Sequence, residues 1–425
     1  MSHTLHYLSY YFPPVPSVAA KRNYHIYTEM AKKYDASILY TTSNIRSFSN
    51  KNQINSESIV LIPTLDYRTI LRLLNRRKSN DAIHYDETKK QNPFIRFLIK
   101  LNETLPFSLF LGEGGLIFII MATIRMLRDL SKSGQNTVVT SFRPAADVIV
   151  GYIIRILRPD TRWIVSMHDI PVVNNRPNAY LLSLQNRVWR RLLRKADIVI
   201  GATEGVSETL NTYGVQALTL RNGIEIRTPK SANNPEFTIV FTGSVYRSLM
   251  QPEILFECVE TLIREGIIES KHLKIIYAGK DSHFWNTAAR SFEYIRPSME
   301  TKRMIPHNEA LELQIHANIN YLMSWNDDHT HGVLTGKLFE YLGAGNPIIT
   351  VINGKYDPEF EWIFEKYQCG KIFYSSETHF KTGLKKYIAD LYNLWLSGNF
   401  YQAYNSEEHL QGMSWEYNVH QCFKD

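Results

Sequence analysis

Short apolar runs alternate along the chain with longer stretches whose apolar positions recur at helical spacing. "LHYLSYYF" predicts a strand, "AAKRNYHIYTEMAKKY" a helix, and "ASILYT" and "SIVLIP" two further strands. A polar insertion, "RRKSNDAIHYDETKKQ", predicts a surface loop, and helices are expected between Pro93 and Ser131. The rhythm resumes with "TVVTSF" as strand, "AADVIVGYIIRIL" as helix, "RWIVSMHD" as strand, "AYLLSLQNRVWRRLLRKA" as helix and "DIVIGAT" as strand. Strands that are apolar throughout, rather than alternating, belong to parallel sheets covered by helices on both faces.

At "RNGIEIRTPKSANNPE", Asn-Gly, Pro and polar residues interrupt the pattern and predict a linker. A second series follows: "FTIVFTG" strand, "PEILFECVETLIREG" helix, "LKIIYAG" strand, "NEALELQIHA" helix, "NINYLMS" strand, "GKLFEYLGAG" helix and "PIITV" strand. No short repeat relates the halves. The expected fold is α/β, with two Rossmann-like doubly wound domains facing across a cleft. The expected limits are 1–222 for the first domain, 223–236 for the linker and 237–405 for the second. Residues 406–425, containing "MSWEYNVHQCF", are expected to form a helix packing back on the first domain. Open α/β sheets bind ligands at the carboxyl ends of their strands, so the site is expected in the cleft.

Composition narrows the class. A chain of 425 residues accommodates two domains with full cores, and 44% hydrophobic with 21% charged residues is the balance of a folded globular protein. Cys258, Cys369 and Cys422 are scattered, which argues against a disulfide framework or a cysteine metal site and suits a reducing compartment. The net charge of +7 permits an anionic partner. The single dense basic stretch, "QNRVWRRLLRKA", lies on an apparent amphipathic helix without the long basic and aromatic stripe of a nucleic-acid surface, so no nucleic acid is expected. The N-terminus "MSHTLHYLSYYFPP" lacks the features of a signal peptide, and "GGLIFIIMATI" is far shorter than the ~20 apolar residues of a membrane span. With "FIRFLIKL" before it and "RMLRDL" after it, this segment reads either as a helix dipping into a headgroup layer or as a core helix with snorkelling basic residues. The expected location is cytoplasmic, with the inner face of the membrane as the alternative.

Candidate chemistry concentrates in "GKLFEYLGAGNPIIT". Lys337 and Glu340 project from one face of the predicted helix, at its first turn, after the loop "WNDDHTHGVLTG". Unpaired N–H groups at a helix start suit a phosphate, Lys337 adds a full positive charge, and Glu340 can accept two hydroxyl donors such as those of a ribose. The same spacing also fits a surface ion pair of small energetic value. Gly343-Ala344-Gly345 permits a left-handed cap, and Asn346-Pro347 ends the helix before a buried strand. Asp327 and Asp328 are adjacent rather than alternating, and no histidine pair has metal-ligand spacing. No metal and no cofactor are expected.

"KLFEYLGAGNPIIT" resembles the nucleotide-sugar signature of GT-B glycosyltransferases, specifically family 4 (glycosyl transferases group 1). Other segments resemble that family in order over nearly the whole chain: "YYFPPVPSVAAKRNY", "SMHDIP", "TEGVSETLNTYGVQALTLRNGIEI", "FTGSVYRSLMQPEIL" and "IPHNEALELQIHANINYL". The resemblance implies a metal-independent, hexosyltransferase-like enzyme that moves a sugar from a nucleotide-diphosphate sugar to a saccharide or lipid-linked acceptor, in cell-surface polysaccharide or glycoconjugate assembly. Alternatives are a non-catalytic nucleotide-sugar-binding relative or a sugar epimerase.

By position, the resemblance implies that Glu340 binds the ribose and that Lys337 with Arg247 neutralises the diphosphate. Gly243 and Ser244 bring backbone N–H groups to the phosphates, and Leu338 and Thr335 complete the donor-binding set. His168 is assigned to the donor sugar or reacting centre, with Asp169 as candidate acid or base. Ser17 and Val18 face the sugar diphosphate, although this loop reads Val15-Pro16-Ser17-Val18 where many relatives are glycine-rich. Many retaining members carry a Glu eight residues before the ribose Glu; here that position is Gly332. Backbone amides of His331, Gly332, Val333 and Leu334 are then expected to read the sugar hydroxyls, and the stereochemistry stays open. The donor's base and sugar, the acceptor, the linkage and the general base are not specified.

Overall fold

The computed structural model describes residues 2–15, 17–44, 58–66, 97, 100–101, 103–130, 134–172, 179–227, 230, 234–327, 332–399 and 411–423. The polar insertion at 76–91 and the site candidate His331 lie outside these residues. The chain forms two compact units, one of Met1–Arg221 with Asn418–Asp425 and the other of Asn222–Tyr417. The segment 223–236, read as a linker, falls within the second unit.

The first unit runs β1 (His3–Leu8), α1 (Val18–Ala31), β2 (Ala36–Thr42), β3 (Ile59–Ile62), α2 (Phe107–Leu111), α3 (Gly115–Asp129), β4 (Gln135–Phe142), α4 (Ala145–Leu157), β5 (Arg162–Met167), α5 (Leu182–Leu193), β6 (Ile198–Gly201), α6 (Glu204–Asn211) and β7 (Ala217–Thr219). The second runs β8 (Phe237–Thr242), α7 (Glu253–Arg264), β9 (Leu273–Ala278), α8 (Ser282–Ala288), β10 (Met299–Lys302), α9 (His307–His316), β11 (Ile319–Trp325), α10 (Gly336–Ala344), β12 (Ile348–Asn353), α11 (Pro358–Tyr367), β13 (Gly370–Tyr374) and α12 (Phe380–Leu396). A last helix, α13 (Trp415–Cys422), carries the residues at which the chain passes from the second unit to the first.

Both sheets are wholly parallel. The first is ordered β3-β2-β1-β4-β5-β6-β7 and the second β10-β9-β8-β11-β12-β13. Each winds outward in one direction from its first strand and then in the other, so each has one switch point, between β1 and β4 and between β8 and β11. The strands flanking it are covered on both faces: β8 is buried along its full length, and β4 from its second residue onward, although β4 carries the buried polar residues Asn136, Thr137, Thr140 and Ser141. Sequence-local signals start three of the described helices. Ser17 Oγ accepts the Ala20 N–H at 3.0 Å to cap α1, Thr203 caps α6 by accepting the Val206 N–H at 3.2 Å, and Asp357 caps α11, whose first residue is Pro358.

The helix built on "GGLIFIIMATI" has two apolar faces. Phe118, Ile119, Ala122 and Met126 of α3 are buried in the first unit's core, while Leu116, Ile117, Ile120, Met121 and Ile124 are each at least 40% exposed. Exposed Arg125 and Arg128 follow on the same helix. Among the described residues no helix is long and apolar enough to cross a membrane.

Candidate active site

The second unit's switch point is built around the turn that leaves β8. Gly243 follows Thr242 with φ +135°, a conformation that a side chain disfavours, and its carbonyl accepts the Tyr277 hydroxyl at 2.9 Å. Tyr277 Oη accepts the Asp281 N–H at 3.0 Å, and Asp281 in turn accepts the Val245 N–H at 2.9 Å. The turn is thus braced from β9 and the start of α8 rather than by its own sequence. Ser244 is half-buried within it, and exposed Arg247 lies with its guanidinium 5.1 Å from the centre of the Phe284 ring.

Helix α10 supplies the charged pair. Its approach is fixed at Gly332, whose N–H donates to Asp357 at 2.8 Å, and at Val333, whose carbonyl accepts from Ser324 at 3.2 Å. The Leu334 N–H turns back onto the Gly332 carbonyl at 2.8 Å. Thr335 stands at the N-cap, but its hydroxyl makes no capping bond and is enclosed without a partner. The first turn therefore keeps backbone donors with no intrahelical acceptor, together with the positive end of the helix dipole. Leu338 is wholly buried in the core, with its N–H on the Thr335 carbonyl at 3.1 Å. It anchors the helix and offers a ligand no surface. The helix ends at Gly345, which has φ +74°. Asn346 then clamps the end of α9 by donating to the carbonyls of Gln314 and Ile315 at 2.9 and 3.1 Å.

Lys337 Nζ donates to Glu340 Oε2 at 2.8 Å, with side-chain exposures of 28% and 14%. The carboxylate is mostly withdrawn from water, unlike that of a surface pair. The stem of Lys337 runs beside Gly243, where an added Cβ would stand 3.4 Å from Lys337 Cε. Glu340 Oε2 also receives Gln314 Nε2 at 2.9 Å, and that nitrogen donates equally to Thr242 Oγ1 at 2.9 Å. Tyr341 Oη accepts the Thr242 N–H at 3.0 Å. Burial pushes the Glu340 carboxyl up, but the Lys337 charge and hydrogen bond, the Gln314 bond and the His307 charge outweigh it and hold it below the usual range. Gln314, Thr242 and Tyr341 complete this cluster, and nothing in the sequence marks them. Gln314 lies 26 positions before its carboxylate partner and 72 after Thr242.

In the first unit, His168 follows β5 beside the β1–β4 switch. Its Nε2 lies 2.7 Å from Ser141 Oγ, which donates onward to Asn23 Oδ1 at 2.9 Å. Asn23 uses its amide donors on Ser9 Oγ and the Tyr11 carbonyl. With its own proton committed to Asn23, Ser141 can only accept from His168, so the imidazole carries its proton on Nε2 and leaves Nδ1 as a bare acceptor. Nδ1 is enclosed and has no partner, although the residue as a whole is only half-buried. Burial, aided by the Arg22 charge, lowers the His168 pKa to about 3, so the ring is neutral at physiological pH.

Asp169 is 68% exposed and lies 4.0 Å from Arg143 Nε. Ser17 Oγ accepts one N–H to cap α1, and Val18 is 60% exposed. The candidates thus divide. Lys337, Glu340 and Gly243 converge in the second unit, with Gly332–Thr335 leading into their helix. His168, Asp169, Ser17 and Val18 belong to the first. Among the described residues no group of three or more His, Cys, Asp and Glu side chains is placed to hold a metal ion.

Comparison with solved structures gives the fold its class. HepE of Anabaena, solved in complex with UDP-glucose, superposes with a TM-score of 0.58 at 10% identity, covering 99% of this chain and 98% of its own. The α,α-trehalose 6-phosphate synthase of Burkholderia multivorans gives 0.54 at 9% identity, over 99% and 97%. WaaG, a glycosyltransferase involved in lipopolysaccharide biosynthesis, gives 0.51 at 10% identity, over 99% and 96%. No family model matches the chain, and no curated protein matches its sequence. The chain has the GT-B fold, with two parallel-sheet α/β domains, as the sequence predicts.

Proposed function

We propose that this protein is a family 4-like glycosyltransferase that transfers a sugar from a nucleoside-diphosphate donor to a saccharide or lipid-linked acceptor in surface polysaccharide or glycoconjugate assembly. The observation that carries the reading is the Lys337–Glu340 pair beside Gly243, at the switch point of the second unit. Solved GT-B structures hold UDP-glucose or are named as glycosyltransferases, which supports the same class.

In this reading Glu340 accepts the ribose hydroxyls. Lys337 and the uncapped first turn of α10 face the diphosphate, joined by Arg247 and by the backbone of Gly243 and Ser244. The bond between the anomeric carbon and the phosphate oxygen breaks with its electron pair on the nucleoside diphosphate. The acceptor oxygen bonds the anomeric carbon, and its proton ends in solvent. Cationic groups that strengthen their hold as this leaving group gains charge lower the barrier, so these residues do the work without a resident metal. Of the amides leading into α10, the Val333 N–H reads the donor sugar, since those of Gly332 and Leu334 are committed to Asp357 and to the Gly332 carbonyl. The half-buried, neutral His168 ring lines the sugar's site. The exposed apolar face of α3, closed by Arg125 and Arg128, lies against an anionic bilayer surface that holds the lipid-linked acceptor.

A panel of UDP- and GDP-sugars tests this through thermal stabilisation, because a ligand of the folded state adds about 2.7 kcal/mol at a concentration one hundred times its Kd. Nucleotide release on adding saccharide acceptors then reports transfer. Stabilisation by one donor and acceptor-dependent release are expected; release that is indifferent to acceptors contradicts transfer. Sedimentation with phosphatidylglycerol vesicles, weakened by Ile120→Glu, tests the membrane face.

A further inference from the structure

Resting on the reading of Glu340 as the ribose ligand, we infer that Gln314 is the positioning residue that aims this carboxylate and sets how strongly the site prefers a ribonucleotide to its deoxy analogue. The Gln314 side chain is fully buried, and its two amide protons go to Thr242 Oγ1 and Glu340 Oε2, each at 2.9 Å. With Lys337 also on Oε2, both lone pairs of that oxygen are engaged within the protein. Among the described residues no donor reaches Glu340 Oε1, so that oxygen is left to accept hydroxyls from outside. The opposite orientation of the Gln314 amide would set its carbonyl against an ionised carboxylate, so the charge of Glu340 fixes which way the amide faces.

Two observations separate this role from packing. The end of α9 is held through the backbone carbonyl of Gln314, which accepts Asn320 Nδ2 at 3.1 Å and Asn346 Nδ2 at 2.9 Å, so the helix end does not depend on the side chain. Gln314 Oε1 is buried without a partner. Packing alone would be served better by methionine, which fills a similar volume and brings no unpaired acceptor. What methionine lacks is the double donor that ties the Glu340 carboxylate, through Thr242, to the strand end from which Gly243 turns. Aim at the ribose and distance from the phosphate turn are thereby set by one amide.

The test uses the full chain and calorimetric titration of UDP against 2′-deoxy-UDP, and of GDP against 2′-deoxy-GDP. Wild type is expected to favour the ribonucleotide of one pair by about tenfold or more, the scale of a hydrogen bond to a charged group. Gln314→Met is expected to reduce that preference several-fold, with affinity for the deoxy analogue unchanged. Gln314→Glu, which also carries the test should the methionine variant fail to fold, places a second carboxyl against Glu340. Lys337, on the same helix as Glu340, and His307, on α9, are the charged neighbours that face the pair. Affinity in this variant is expected to fall as pH rises and the shared proton is lost, a slope absent from wild type. If wild type binds neither nucleotide, or if Glu340→Ala keeps the ribose preference, the reading of the site falls and the inference with it. If Glu340→Ala abolishes the preference while both Gln314 variants keep it without a pH slope, the inference alone is overturned.

Discussion

The two switch points share a topology and differ in chemistry. In the second unit the environment works toward charge: Glu340 is held ionised by Lys337, Gln314 and His307 against the effect of its own burial. In the first unit it works toward neutrality. Burial keeps His168 uncharged and drives the Asp147 carboxyl, which accepts the Tyr10 N–H at 2.9 Å, well above the ordinary range. Arg22 is the exception: burial lowers its pKa to about 10, and it remains a cation that donates to the Leu220 carbonyl at 2.6 Å. A strand-end site that preserves a cation and an anion suits a diphosphate on a ribose. One built from a neutral imidazole among neutral amide and hydroxyl groups suits sugar hydroxyls. Identical winding therefore does not decide what is bound; the side chains carried at the strand ends do.

Substitutions can break or sharpen this contrast. The largest effect is expected from Lys337→Ala, which on the proposed reading removes the cation facing the leaving group and should lower turnover about 100-fold or more, measured as nucleotide release. Glu340→Ala should weaken nucleotide binding about tenfold while sparing the first unit's response to pH. In wild type, the ionised Glu340 favours the folded state at every pH above its unfolded value of about 4.5, and that contribution fades as pH falls through the lower folded value. Donor affinity should accordingly stay flat from neutral pH down to about 5 and weaken only below it.

His168→Gln should leave the affinity for a nucleoside diphosphate intact and lower sugar transfer by about tenfold. It should also change the acid limb of stability. The folded imidazole stays neutral down to about pH 3 whereas an unfolded one takes its proton near 6.5, so the unfolded chain binds more protons between those values and wild-type stability falls as pH drops through them. Denaturant melts at pH 7 and pH 5 should differ less in the variant. The smallest effect is expected from Ser17→Ala, about 1 kcal/mol of stability through loss of the α1 cap. A matching loss of donor affinity would show that the same hydroxyl also touches the diphosphate.

Much of the fold is legible in the sequence because strands covered on both faces favour apolar and β-branched residues, as in "FTIVFT" and "TVVTSF", even though Thr137, Thr140 and Ser141 of the latter are polar and buried. The abrupt end of α10 is equally legible, since Gly345 adopts the left-handed cap that the Gly-Ala-Gly-Asn-Pro run predicts. Strand β10 leaves no such trace: "METK" lies at the sheet edge with every residue half-buried, so no apolar run is required. The eleven residues "GGLIFIIMATI" predict a helix but not which face is covered, because both faces of α3 are apolar. At the site, Lys337 and Glu340 are local and show in their spacing. Gln314 acts on Glu340 across tertiary space, and Ser141 meets His168 at 2.7 Å from a different strand, so neither relation has a sequence period. Leu338 shows the converse, a residue inside the motif whose side chain belongs to the core.

The most direct measurement is calorimetric titration of UDP and GDP into wild type and into the Lys337→Ala, Glu340→Ala double variant. Binding of one nucleotide by wild type and a loss of about 100-fold or more in the double variant are expected, since two charged contacts disappear together. Equal affinity in the two proteins would contradict the assignment of this pair to the nucleotide.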